Sequence, residues 1–178
     1  GSIAFVQCAG SRDENHLPYC SAVCCLASLK EAAYVRDQYP EATVYIFYID
    51  MRTPGMYEDF YVKAQSDENI SFVKGKVSKI EEDPATKDLI VEADNILLGE
   101  KIRVRVDMVV LATGMVPVAR ASGITGDDMA YDEYGFTADS QKTGICVGGV
   151  AKRPMDVSAS VRSGTGAALK AIQGVVRD

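Results

Sequence analysis

An apolar run, "IAFVQ" at 3–7, is followed by a long polar turn, a helix-like stretch at 21–38 closed by Pro40, and a β-branched and aromatic run, "TVYIFYID" at 43–50. No feature limits the fold more than this order. Two strands joined by a helix cannot close a hairpin, so they pair in parallel through a crossover. The first run is apolar from Ile3 to Val6 with little alternation, as a strand covered on both faces is. The chain therefore opens with the βαβ unit of a doubly wound α/β sheet. Asp50 ends the second strand, where a dinucleotide-binding unit carries its ribose-binding acid. Such a unit also needs G-x-G-x-x-G in the first turn, so that backbone amides can approach a pyrophosphate. This turn contains only Gly10 and is too long. Ordinary NAD(P)H binding here is not expected.

The turn carries thiols instead. "CAGSRDENHLPYCSAVCC" has the spacing C-x11-C-x3-C-C and holds four of the five cysteines. Four thiolates suit Zn²⁺ or an iron–sulfur cluster. With a helix from Ser21, Cys20 and Cys24 are expected one turn apart on one face, and Cys25 about 100° further round. Cys8 closes the set from the strand end. A helix N-terminus favours the thiolate form. Adjacent cysteines are awkward in a compact zinc knuckle and suit a larger cluster better, although the spacing is not the bacterial ferredoxin run. Three alternatives stand beside a cluster. One is a structural zinc module that pins strand to helix and offers a docking surface. Another is thiol–disulfide chemistry at Cys24 and Cys25, which the lack of C-x-x-C disfavours. The last is plain packing of small apolar side chains. Five unevenly placed cysteines do not suit a secreted disulfide framework, and a reducing cytoplasm is expected.

Further along, 57–65 reads as a short helix and "ISFVKGKVSKIEE" as a strand bent at Gly75. "DLIVEAD" and "EKIRVRV" form an antiparallel meander leading into the buried strand of "DMVVLATG". "GICVGGV" reads as another buried strand with Cys146 packed inside it, and 133–136 as a surface turn before it. A helix rich in Ala, Ser and Gly follows at 156–175. Glycines at strand ends let backbone approach a ligand, and a helix N-terminus offers amides. Thr113, Gly114, Pro117, Gly148, Gly149, Asp156 and Val157 are therefore candidate cofactor contacts. Two buried strands with glycine turns would leave the same trace.

Charge and hydropathy exclude several classes. The net charge is -6 and no basic cluster stands out, so neither nucleic acid nor an anionic membrane is an expected partner. No apolar run is long enough to span a bilayer, and no signal peptide is visible. The leading Gly-Ser resembles a tag scar and Ile3 starts abruptly in a strand. An excised piece of a longer protein is the expectation.

"FVQCAGSRDENHLPYCSAVCCLASLKEA", "VYIFYIDMRTPG" and "EDFY" resemble the A-subunit of heterodisulfide reductase. They are still more similar to the A- and B-subunits of the quinone-interacting membrane-bound oxidoreductase (Qmo) of sulfate reducers. The resemblance spans nearly the whole chain. It implies a thioredoxin-reductase-like flavoprotein module in which Cys8, Cys20, Cys24 and Cys25 bind a [4Fe–4S] cluster near FAD. The implied fold is α/β, with a degenerate Rossmann-like three-layer unit and β-meander over 3–112. The C-terminal half of an FAD-binding domain would follow over 113–178, its N-terminal half lying outside the chain. FAD binding by this piece alone would be weak or absent. Where many such enzymes have an Asp for the ribityl chain, this one has Val150. Lys30 would be a cation near cluster or flavin, or else a solvated helix lysine. His16 is expected at the surface. The implied activity is electron relay between flavin and cluster, in heterodisulfide, quinone or adenylylsulfate reduction, with no separate activity in the fragment. The partners would be redox subunits, including a membrane-bound quinone-interacting one. The location would be cytoplasmic, against the inner membrane face, in an anaerobe.

Overall fold

A computed structural model describes residues 1–122, 129–139 and 144–176. The chain divides into two compact units, one of Gly1–Cys20 and Cys24–Gly114, the other of Ser21–Val23 and Met115–Asp178.

The first unit is built on a parallel sheet of four strands, β1 (Ser2–Val6), β2 (Thr43–Tyr48), β3 (Ile70–Lys74) and β7 (Met108–Leu111), in the order β3-β2-β1-β7. Between β3 and β7 the chain makes a three-stranded antiparallel sheet, β4 (Val77–Glu82), β5 (Leu89–Asn95) and β6 (Glu100–Val106). Helices α1 (Cys24–Gln38) and α2 (Tyr57–Gln65) complete the unit. Phe5, Val44 and Ile46 pack against Leu29 and Ala32 of α1 and Ala64 of α2. Ala4, Val6, Phe47 and Val73 pack against Val91, Ala93 and Val106 of the meander. Successive residues of β1 thus face different layers, which is why that strand is apolar from Ile3 to Val6. Burying each Val, Leu, Ile or Phe side chain among these contributes roughly 1.5–3 kcal/mol, and each alanine less. Gly75 is where the chain leaves β3 for the second sheet. A Cβ there would lie 1.8 Å from the Asp94 carbonyl oxygen, so no larger residue fits. Arg36 closes the far end of α1, its guanidinium donating to Asp67 at 2.9 Å and to the carbonyls of Pro40 and Ala42.

The second unit holds a short helix α3 (Ala119–Ser122), a tight turn bridged at Tyr131 and Thr137, a 3₁₀ turn at Gly149–Ala151 and a long helix α4 (Val157–Val176). The carboxylate of Asp132 accepts from the amides of Tyr134 and Phe136. Phe136 and Met155 are buried. No side chain of α4 is buried, and Val157, Val161, Leu169 and Ile172 all face solvent.

Four expectations need correction. Helix α1 begins at Cys24, not Ser21, because Ala22 takes a left-handed φ of 63° that no right-handed helix can include. Cys20 and Cys24 therefore do not share a helical face. The expected strand in "GICVGGV" forms no ladder at 145–148, since no described segment runs alongside to accept its hydrogen bonds; Thr143 lies outside the described residues. Cys146 is accordingly exposed rather than packed. The turn at 133–136 is present, but Phe136 points into the unit instead of lying at the surface.

Candidate functional site

The cysteine turn grows directly out of β1. Gln7 continues the ladder, its amide donating to Phe47 O at 2.9 Å. Cys8 then takes a left-handed φ of 56°, which turns the chain out of the sheet. The loop is pinned to the end of β7, with the Ala9 amide donating to Ala112 O and the Ser11 hydroxyl to Thr113 O. It folds back on itself through Leu17 N to Gly10 O and Arg12 N to Tyr19 O. Asp13 accepts from the Asn15 amide. A long polar turn is thereby held without a hydrophobic interior, by its own backbone hydrogen bonds. Cys20 follows, and Cys24 and Cys25 open α1.

Cys8, Cys20 and Cys24 are half-buried and Cys25 is buried, and no disulfide joins any of them. Burial pushes the Cys24 thiol up to about 11, and charge on Cys25, Cys8 and Cys20 pushes the same way. The Cys8 thiol is also raised, first by burial and then by Cys25 and Cys20, while Arg12 pulls it down. Burial and Cys20 raise Cys25, against the pull of the Arg52 amide and of the Arg52 and Arg12 charges. All four sulfurs therefore lie within one another's electrostatic reach, around one strand end and one helix start. As they stand, no three His, Cys, Asp or Glu side chains among the described residues converge closely enough to hold a metal ion. The donor chemistry fits a soft metal centre, which would favour the thiolate against the burial, and the lesser mutual repulsion, that raise Cys8, Cys24 and Cys25. Without a metal, thiols pushed this high are poor nucleophiles at neutral pH, which weakens the thiol–disulfide reading.

Arg12 lies inside this loop. Its Nη2 donates to Asp50 Oδ2 at 2.8 Å. The carboxylate at the ribose-binding position is thus engaged by a residue of the chain's own first turn, a second reason beside the missing glycines why a dinucleotide does not fit. Cys25 Sγ reaches the Asp50 carbonyl at 3.7 Å. Two polar groups nearby are buried without partners, namely Arg12 Nη1 and both amide atoms of Gln7. An orphaned buried donor costs roughly 1–3 kcal/mol, and such groups mark function or a missing partner.

No family model matches the chain. Among curated proteins it is 39% identical over 181 residues to the second iron-sulfur A-subunit of CoB--CoM heterodisulfide reductase from Methanopyrus kandleri, covering 95% of this chain and 28% of the relative. It is 36% identical to the corresponding A-subunit of Methanocaldococcus jannaschii, covering 93% of this chain and 27% of that protein. A heterodisulfide reductase A-like protein of Archaeoglobus profundus is 36% identical over 96% of this chain and 26% of its own length. Over most of its length the chain is similar to heterodisulfide reductase A-subunits. It spans little more than a quarter of the length of these relatives, 28% of the first. Its fold is that of thioredoxin reductase. The Lactococcus lactis enzyme superposes with a TM-score of 0.64 at 20% identity, over 99% of this chain and 54% of that one. The T. acidophilum enzyme gives 0.62 at 18%, over 98% and 53%.

Within this chain, the other candidate residues fall into separate places. Thr113 and Gly114 end the first unit, where the Thr113 carbonyl anchors the cysteine loop. Gly148 and Gly149 lie against α4 in the second unit. A Cβ on Gly148 would come within 3.1 Å of Gly164 Cα, and the Gly149 amide donates to Ser163 Oγ at 3.1 Å. Asp156 caps α4 by accepting from the Ala159 amide at 2.6 Å, and Val157 is exposed beside it. Pro117 packs near Gly135. Lys30 is exposed on α1, its ammonium 5.5 Å from the centroid of the Tyr34 ring, in the crevice between α1 and α2. His16 is exposed next to Asp13. Sequence reasoning missed Gln7 and Arg12. A polar residue ending an apolar strand, and an arginine between ligand cysteines, were the signals available. No helix among the described residues is long and apolar enough to cross a membrane.

Proposed function

We propose that this chain is the electron-transfer module of an FAD- and iron–sulfur-containing oxidoreductase subunit, with Cys8, Cys20, Cys24 and Cys25 as ligands of a [4Fe–4S] cluster. The observation that carries this reading is the placement of four mutually coupled thiols at the strand–helix junction where a nucleotide-binding unit has its phosphate turn. Heterodisulfide reductase subunits named for iron–sulfur support it. When bound, such a cluster supplies a one-electron relay. Cys8, just beyond β1, and Cys20, Cys24 and Cys25, at and before the start of α1, would hold it. The second unit is read as the C-terminal half of an FAD-binding domain, with Gly148, Gly149, Asp156 and Val157 as flavin contacts and Thr113, Gly114 and Pro117 as further candidates. The exposed apolar side of α4 and the segment at 145–148, which pairs with no strand among the described residues, support a further half-domain that would cover the one and pair with the other. The whole protein would work among redox subunits, on heterodisulfide or, in a Qmo-like setting, with a membrane-bound quinone-interacting partner on the cytoplasmic face. The fragment is not expected to turn over alone.

Iron, acid-labile sulfide and zinc analysis of protein purified without oxygen tests this. The expected result is about four irons and four sulfides per chain, with visible absorbance bleached by dithionite. One zinc without iron would make the turn a structural module. Neither metal, even after reconstitution, would remove the ligand assignment.

A further inference from the structure

We propose that Arg12, held by Asp50, and Gln7 set the reduction potential of the centre held by the four cysteines, by directing N–H groups at its sulfurs. This rests on the cluster reading above. The geometry carries it. Arg12 Nη2 donates to Asp50 Oδ2 at 2.8 Å, while Nη1 is buried and has no hydrogen-bond partner. The guanidinium is a planar fork, so fixing one arm on a carboxylate aims the other. Its φ of 53° is a left-handed conformation rare outside glycine, so the loop holds this residue in place against local strain. The Arg12 side chain also lies within hydrogen-bonding reach of the Cys8 thiol. Gln7 immediately precedes Cys8 and is 5% exposed, with neither amide atom bonded. Because its backbone continues the β1 ladder, Gln7 falls by alternation on the same face as Phe5, which packs against α1. That helix opens with Cys24 and Cys25. Neither Gln7 amide atom nor Arg12 Nη1 reaches solvent, so bulk water is not the absent partner.

One-electron reduction of the centre adds one negative charge and takes its electron from an external low-potential donor, with no bond made or broken. A fixed cation and oriented N–H dipoles stabilise that added charge, and more so where water is excluded. Asp50 has the opposite sign, but its carboxylate is half exposed and acts by holding Arg12. Asp50, at the position where a dinucleotide-binding unit has its ribose-binding acid, thus positions a cation beside the thiols.

The test is a dithionite titration of the anaerobically purified protein, followed by the electron paramagnetic resonance signal of the reduced centre, with iron and sulfide measured on each sample. Arg12→Gln is expected to shift the reduction equilibrium about tenfold toward the oxidised form at unchanged iron content, which is about 59 mV for a one-electron couple. Arg12→Lys should recover part of that shift, and Gln7→Leu should produce a smaller one of the same sign. Should Arg12→Gln fail to retain iron, Asp50→Asn carries the test, since it leaves Arg12 present but unheld; a shift toward the oxidised form is expected. Full iron content with an unchanged potential in these variants would overturn the inference and leave the cluster reading intact. Wild-type protein that takes up no iron would overturn both.

Discussion

The two units of this chain are similar in apolar content and opposite in how they use it. In the first, both faces of the parallel sheet are covered, by α1 and α2 on one side and by the meander on the other. In the second, a helix of 20 residues carries Val157, Val161, Leu169, Ile172, Val175 and Val176 and buries none of them. An apolar helical face is a demand for a partner, and the sequence around it does not say whether that partner is supplied. The first unit meets the demand in the interior between α1, the parallel sheet and the meander, while Met108 and Leu111 of β7 and Ile96, Leu97 and Leu98 between β5 and β6 stay exposed. Among the described residues, the second has Phe136 and Met155 as its buried large apolar side chains.

Several measurements would break or sharpen this contrast. The largest expected effect is on Leu29, which is fully buried between α1 and the sheet. Leu29→Ala should lower the unfolding free energy by about 2–5 kcal/mol in urea titration. Leu169→Ala on α4 should change it by less than about 0.5 kcal/mol. Equal losses at the two positions would mean that α4 is packed after all.

Next comes Gly75→Ala, whose new methyl would collide with the backbone at Asp94. A destabilisation of about 1–3 kcal/mol is expected from such overpacking. Gly148→Ala meets softer contacts at 3.1–3.2 Å and should cost less, with the change confined to the second unit's hydrogen exchange. A third comparison uses the exposed face directly. Leu169→Lys with Ile172→Lys should reduce binding of a hydrophobic dye and leave the urea midpoint of the first unit unmoved; dye binding that stays the same would place the exposed apolar surface elsewhere.

The smallest effect is electrostatic. The Arg36 guanidinium holds the Asp67 carboxyl below its ordinary value. A carboxyl with a lowered folded-state pKa stabilises the fold above its unfolded value of about 3.9, and that contribution fades as pH falls through the folded value. The stability difference between wild type and Asp67→Asn should therefore be present at pH 7, at a few tenths to about 1 kcal/mol for a partly exposed pair, and vanish in strong acid. A difference that persists below that range would assign it to hydrogen-bond shape rather than charge.

Much of the first unit was legible from local pattern. β1, β2, α2, the meander strands and β7 all follow runs whose periodicity and β-branched content leave little choice, and Gly75 marks the step between the two sheets. The cysteine spacing was equally plain, as was the absence of a glycine fingerprint. Three features were not legible. The start of α1 depended on Ala22, an ordinary helix former that takes a left-handed turn here. The segment at 145–148 has every intrinsic mark of a strand but no described neighbour. The ion pair of Arg12 and Asp50 joins residues far apart in sequence.

Sequence by itself determined the parallel βαβ core, the thiol-bearing turn and the likeness to the heterodisulfide reductase A-subunit, because alternation, helical period and residue chemistry are local properties. Tertiary structure alone decided that Asp50 grips Arg12, that Gln7 is buried without a partner, that the four thiols share one electrostatic neighbourhood, and that α4 lies uncovered. Those depend on which distant segments meet, and burial, pairing and desolvation are properties of the meeting rather than of either segment.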